Sequence, residues 1–392
     1  MDRRVALALS LIGALAYVAF GWGTETVYDY YGRLGEAFAQ GRWWLTDAPP
    51  WLNELVSCGS GRWCVVYPPL PGLLSIPFLP LGTALGQSLM ARVAGGASAS
   101  LLFLGLRAYG APRSVAIAGA LVSTFGTTLL FSSVDGRSWY AAQSVAMLFG
   151  SAAFWVAARG GPGWAIGALI GLAALSRLPF AAATPALALL AARRAGAPYA
   201  PLLARVVAGG VPFAVVYVAY NAMRWGSIFD LGYLTLTQGD VFFSKGLFSI
   251  LYLPRHLAAI FLEPPDLVEG TPWFLRFRFH GMSLFLTTPA FLFVFAGLRE
   301  VRRSAAVAAT AMAAGLTLIP NVLHGTVGFA QFGYRFSLDV QPFLVALAVT
   351  GDAVAGGVWR RRPSILFIAA GLIAVAINAY AAIAIVRFGY WQ

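Results

Sequence analysis

The sequence predicts an all-α polytopic membrane protein: a bundle of about eleven transmembrane helices with a large first outer loop carrying juxtamembrane helices. Three observations predict it. The 392 residues are 59% hydrophobic and only 11% charged, whereas a soluble domain carries about a quarter charged residues. The apolar residues fall in blocks approaching the roughly 20 needed to cross a bilayer as a helix, separated by short clusters of Gly, Pro and Arg. Every basic residue except Lys245 is Arg, and many sit in short turns between blocks, as cytoplasmic loops require. Similar blocks recur to the C-terminus, so the first is read as a span and not as a cleaved leader. The formal charge of +12 then reflects orientation, with membrane lipids as expected partners and nucleic acid not among them.

With the N-terminus cytoplasmic, spans are expected at about 5–23, 88–106, 114–132, 139–158, 163–176, 178–192, 205–222, 283–298, 304–323, 337–358 and 364–386. This threading leaves three acids inside (Asp2, Glu300 and Asp352) with fourteen arginines, and places twelve of the fifteen acids outside. The 163–176 and 178–192 pair is short. It would turn within membrane depth at Arg177, which then faces protein or a water-filled cavity. The stretch YPPLPGLLSIPFLPLGTAL at 67–85 is apolar but rich in proline. Counting it as a full span would put Arg107, Arg113, Arg193 and Arg194 outside, so a re-entrant or juxtamembrane half-helix packed on protein is expected. The whole chain, 1–392, reads as one membrane domain. Its long outer loops lie at about 24–87 and 223–282, and no separate soluble domain is expected.

The first outer loop holds the chain's two cysteines, Cys58 and Cys64, in SCGSGRWC. In an oxidising compartment this spacing suits a small disulfide loop; two unpaired thiols are the alternative. Thr26–Gln40 reads as an amphipathic helix lying on the membrane, with Val27, Tyr30, Tyr31, Leu34 and Phe38 on one face. On its polar face Asp29 suits a catalytic carboxylate, or a cap three residues after Thr26, or a partner of Arg33 at i, i+4. Near helix ends lie Asp135 with Arg137, Arg177, and Arg335 with Asp339 a turn later. The expected structural pairs are Arg137 with Asp135 and Arg335 with Asp339, while Arg177 has no acid near it in sequence. Each arginine is open to pairing or to a ligand phosphate. The second outer loop mixes Asp230, Asp240, Lys245, Arg255, His256 and the run RFRFH with aromatics including Tyr233 and Trp273. That mixture suits a sugar or a lipid headgroup, or simply a membrane interface.

Taken as an ordered set, these pieces resemble the GT-C glycosyltransferases, multi-pass enzymes that include protein O-mannosyltransferases and the lipid A aminoarabinose transferase. The resemblance rests on ETVYDYYGRLGEAFAQGRWWL after the first span and the Pro-rich YPPLPGLLSIPF. LSR at 175–177, GMSLFLTTPAFL and QFGYRFSLDVQPFL extend it through most of the chain. It implies a transferase that moves a sugar from a polyprenyl-phosphate donor to a hydroxyl of a lipid, glycan or protein acceptor on the outer face of the cytoplasmic membrane. Asp29 would be the general base, with Glu25 as its competitor, and inversion the outcome. Arg137, Arg177 and Arg335 are the implied phosphate partners, with Asp135, Lys245 and Tyr334 further substrate-binding candidates. No cofactor is required by this reading. The first loop carries no Asp-x-Asp motif, which leaves a divalent metal open. Two rivals remain: a transporter or flippase of lipid-linked sugars, for which no repeated halves are evident, and a non-catalytic scaffold.

Overall fold

A computed structural model describes residues 2–267, 275–276, 278, 280–329, 331–355 and 357–389. Among them, six helices are long and apolar enough to cross a membrane. The first is α1 (Asp2–Phe20). The first long loop follows, with α2 (Tyr30–Ala39), a hairpin of β1 (Leu55–Gly59) and β2 (Arg62–Val65), and α3 (Leu70–Ser75), which runs into a 3₁₀ turn to Leu81. Next come α4 (Thr83–Tyr109), α5 (Arg113–Phe125), α6 (Thr128–Asp135) and α7 (Ser138–Ala158). α4 and α7 are each long and apolar enough to cross, while α5 and α6 pass that test only together, with a 47° bend between them. The expected 163–176 span is α8 (Gly163–Ala174), and the 178–192 span is a 3₁₀ turn at Leu178–Ala183 followed by α9 (Thr184–Ala195).

α10 (Tyr199–Trp225) is long and apolar enough to cross and leads to the second long loop, with α11 (Leu231–Leu236) and α12 (Leu253–Phe261). Trp273 and the phenylalanines of the RFRFH run lie outside the described residues. The expected 283–298 span is broken into α13 (Leu284–Thr287), a 3₁₀ turn and α14 (Phe293–Leu298). α15 (Ala305–Val322) crosses, a 3₁₀ turn at Arg335–Asp339 leads into α16 (Gln341–Ala353), and α17 (Ile365–Ala381) continues as a crossing element to Arg387. All eleven expected spans thus contain helix, but five are short or broken. Prolines 179, 185 and 289, whose rings cannot continue a helical hydrogen-bond ladder, stand at the breaks after α8 and α13, while α5 and α6 part at Gly126 and Thr127.

Two expectations need correction. The span after the first loop starts at Thr83 and not near 88, because Gly82 turns the chain at φ 90° and α4 begins at the next residue. The 67–85 stretch ahead of it is a twelve-residue helix and turn, Leu70–Leu81, too short to span. Nor does α2 lie open on the membrane. Tyr30, Tyr31, Gly32, Leu34, Gly35 and Ala37 are buried in protein, with α2 packed against α3 and α4. Gly32 and Gly35 permit this approach: a Cβ on Gly32 would run into the Thr83 carbonyl, and one on Gly35 into Ser75 and the Gly72 carbonyl. Small residues likewise seat α1 on α4 where Gly13 meets Gly96. Gly32→Ala gains about 0.5–1 kcal/mol of helix propensity but overpacks against rigid backbone, a cost of about 1–3 kcal/mol. The expected outcome is a lower melting midpoint in detergent; an unchanged or raised midpoint would contradict the close packing.

Candidate functional site

Four breaks in regular structure converge on one cavity of about 520 Å³. The first long loop brings Tyr31 from α2, Glu54 from just before β1, and Tyr67 from beyond β2. Cys58 and Cys64 form a disulfide within that hairpin. The hairpin is held at both ends. The Glu54 N–H donates to the Tyr30 hydroxyl at 2.9 Å, and the Arg224 guanidinium at the end of α10 donates to the carbonyls of Val65 and Tyr67. The break after α8 contributes Ser176 and Arg177, the start of α11 contributes Asp230 and Tyr233, and the segment after α15 contributes His324 and Arg335. Leu178, Pro179, Ala181, Ala182, Phe248 and Pro320 make an apolar wall.

The electrostatics of the two lining arginines differ. Arg177 donates from Nε to Asp339 Oδ1 at 3.1 Å and from Nη2 to Oδ2 at 2.7 Å, with Asn321 Oδ1 at 3.3 Å. It is a forked, buried ion pair, neutral as a unit. Arg335 is 8% exposed, and its Nε and Nη1 are buried with no hydrogen-bond partner among the described residues. Its guanidinium sits 5.1 Å from the Phe336 ring and 5.7 Å from that of Tyr140. The expected pairing is therefore exchanged: Asp339 belongs to Arg177, and Arg335 has no salt bridge among the described residues.

Four more buried polar atoms of lining residues also have no partner among the described residues: Tyr31 Oη, Glu54 Oε2, Trp139 Nε1 and Ser176 Oγ. Each buried polar group left unsatisfied costs about 1–3 kcal/mol, so their gathering in one cavity marks a polar ligand's place. Burial pushes the Glu54 carboxyl up to about 7, against the lowering influence of Arg335. Burial pushes His324 down to about 4, so that imidazole is neutral at physiological pH. Asp230 accepts from the Tyr217 hydroxyl at 2.9 Å.

Of the residues expected from sequence, Arg177 and Arg335 line this cavity, as do Asp230 and Tyr233 of the second loop's polar and aromatic mixture; Asp29, Glu25, Arg137, Asp135, Lys245 and Tyr334 do not. Asp29 is buried at the start of α2, with Oδ1 accepting from Arg33 Nε at 2.9 Å and Oδ2 from the Thr83 hydroxyl at 2.6 Å. Glu25 and Lys245 are exposed. Arg137 pairs with Asp135 at 3.1 Å, and the Tyr334 hydroxyl meets His256 Nδ1 at 2.8 Å. Glu54, Tyr31 and Ser176 were missed. Only the Cys58–Cys64 spacing a few residues on hinted at a structured hairpin beside Glu54. Among the described residues, no group of three or more His, Cys, Asp or Glu is placed to hold a metal ion.

No family model matches the chain, and no curated protein matches it by sequence. Solved structures do. ArnT from Cupriavidus metallidurans bound to undecaprenyl phosphate superposes with a TM-score of 0.55 at 14% identity, over 95% of this chain and 62% of that one. ArnT from the same organism in the apo state gives 0.53 at 14% identity, over 91% and 61%. The chain thus has the GT-C membrane fold, and spans about three-fifths of the length of the structures it matches.

Proposed function

We propose that this multi-pass membrane protein transfers a sugar from a polyprenyl-phosphate donor to an acceptor hydroxyl, at a site on the outer face of the cytoplasmic membrane. The observation that carries the reading is Arg335: a buried guanidinium with no salt bridge among the described residues, in a cavity with one wall apolar. A cation so placed awaits an anion, and the adjoining apolar wall suits a prenyl chain. The shared fold supports it, since one of the matched ArnT structures holds undecaprenyl phosphate. The arginine-rich turns, read as cytoplasmic, support a cavity on the opposite face.

Arg335 would take the charge that develops on the departing phosphate, so the reading calls for no metal. Arg177, already neutralised by Asp339, would shape the wall and leave phosphate binding to Arg335. The chain would act as one membrane unit. Reconstituted protein incubated with undecaprenyl phosphate carrying mannose, glucose or aminoarabinose is expected to bind the lipid and release undecaprenyl phosphate from one of the three. Failure to bind undecaprenyl phosphate at all would overturn the reading.

A further inference from the structure

We propose that Glu54 is the carboxylate that takes the proton from the acceptor hydroxyl, and that Asp29 is a positioning residue holding Glu54 in place. This rests on the transferase reading above. Both oxygens of Asp29 are committed, one to Arg33 and one to Thr83, and the residue lies off the cavity wall. Glu54 lies on that wall with Oε2 buried and partnerless. Asp29 ties the first turn of α2 to the start of α4. Tyr30, the next residue, accepts the Glu54 N–H with its hydroxyl, so the Asp29 tether is passed to the Glu54 backbone.

The charged and titratable groups around Glu54 come from each neighbouring element: Tyr30 from α2, Tyr233 from α11 and Arg335 from the turn before α16. Arg177 and Asp230 line the same cavity. A base titrating at about 7 is matched to proton transfer at neutral pH.

The step balances as follows. The acceptor oxygen bonds to the anomeric carbon as its proton passes to the Glu54 carboxylate. The bond between that carbon and the donor phosphate oxygen breaks, and its electron pair leaves on the phosphate beside Arg335. The protonated Glu54 then returns its proton to water. Since the reactive form is the carboxylate, transfer falls as pH drops through about 7. Stability runs the opposite way. The raised carboxyl favours the protonated fold, so stability is lost as pH rises from the ordinary carboxylate range toward 7.

The test uses the full chain in nanodiscs. Infrared difference spectra against pH are expected to show a carboxyl band with midpoint near 7 that Glu54→Gln removes. Undecaprenyl phosphate should raise that midpoint by neutralising Arg335. Glu54→Gln is expected to lose at least ~100-fold in turnover of the accepted donor while binding undecaprenyl phosphate within threefold of wild type, which also reports folding. Glu54→Asp should retain measurable turnover. Asp29→Asn should lose about 10–100-fold, with the acid limb of the rate retained. A band that ignores undecaprenyl phosphate, near-normal turnover in Glu54→Gln, or an acid limb abolished by Asp29→Asn alone would overturn the assignment. If the wild type binds undecaprenyl phosphate and Glu54→Gln still turns over, this assignment fails while the transferase reading stands.

Discussion

Asp339→Asn is expected to be among the most destabilising single changes in the chain, at about 3–5 kcal/mol. The carboxylate is fully buried, and its removal leaves Arg177 charged and unpaired at the break after α8. With only 20% of its side chain exposed, that cation recovers little of its lost hydration. The measurement is the loss of folded protein on heating in detergent, compared with the same change at an exposed acid such as Asp47. A double substitution of Arg177 and Asp339 by Met and Leu should recover most of the loss, because it removes both charges together. If Asp339→Asn melts with the wild type, the ion pair is not the pin the geometry makes it.

Arg335→Met should do the reverse. Binding of undecaprenyl phosphate is expected to weaken by roughly 30- to 1,000-fold, or about 2–4 kcal/mol, as when one partner of a buried charge pair is truncated. The fold should be no less stable and could gain, since the substitution removes a buried cation whose Nε and Nη1 find no partner in the ligand-free protein. Binding would be read by native mass spectrometry of the lipid complex, and stability by the same thermal assay. Retained affinity in a folded Arg335→Met protein would place the phosphate elsewhere. The two arginines are thus separable by experiment: one change acts on stability, the other on binding.

Which arginine is which could not be read from the sequence. Arg335 and Asp339 are four apart, and on an α-helix they would share a face. The chain instead forms a 3₁₀ turn there, and at three residues per turn positions four apart diverge by roughly 120°. Asp339 is then free to meet Arg177, 162 residues away. The membrane helices were legible because a bilayer imposes length, apolarity and charge asymmetry on each segment separately. The break at Arg177 was legible too, since its flanking segments were too short to cross. Glu54 was not, because its role depends on a hydroxyl 24 residues upstream and on a cavity assembled from distant breaks. Asp29 sits in a pattern that reads locally as helix cap and ion pair, but only the pair with Arg33 appears in its contacts: α2 starts at Tyr30 and the Asp29 side chain makes no cap bond.

The hairpin that carries Glu54 has a consequence for how the protein is made. The cavity needs residues from Tyr31 to Phe336, so nearly the whole chain must leave the ribosome before the site can close. At about 5–20 residues per second, the first outer loop waits for tens of seconds while α10, α15 and the Arg335 turn are still being inserted. During that wait the Cys58–Cys64 link closes a short ring that limits the hairpin's wandering. The hairpin can then be captured by Arg224 once α10 arrives.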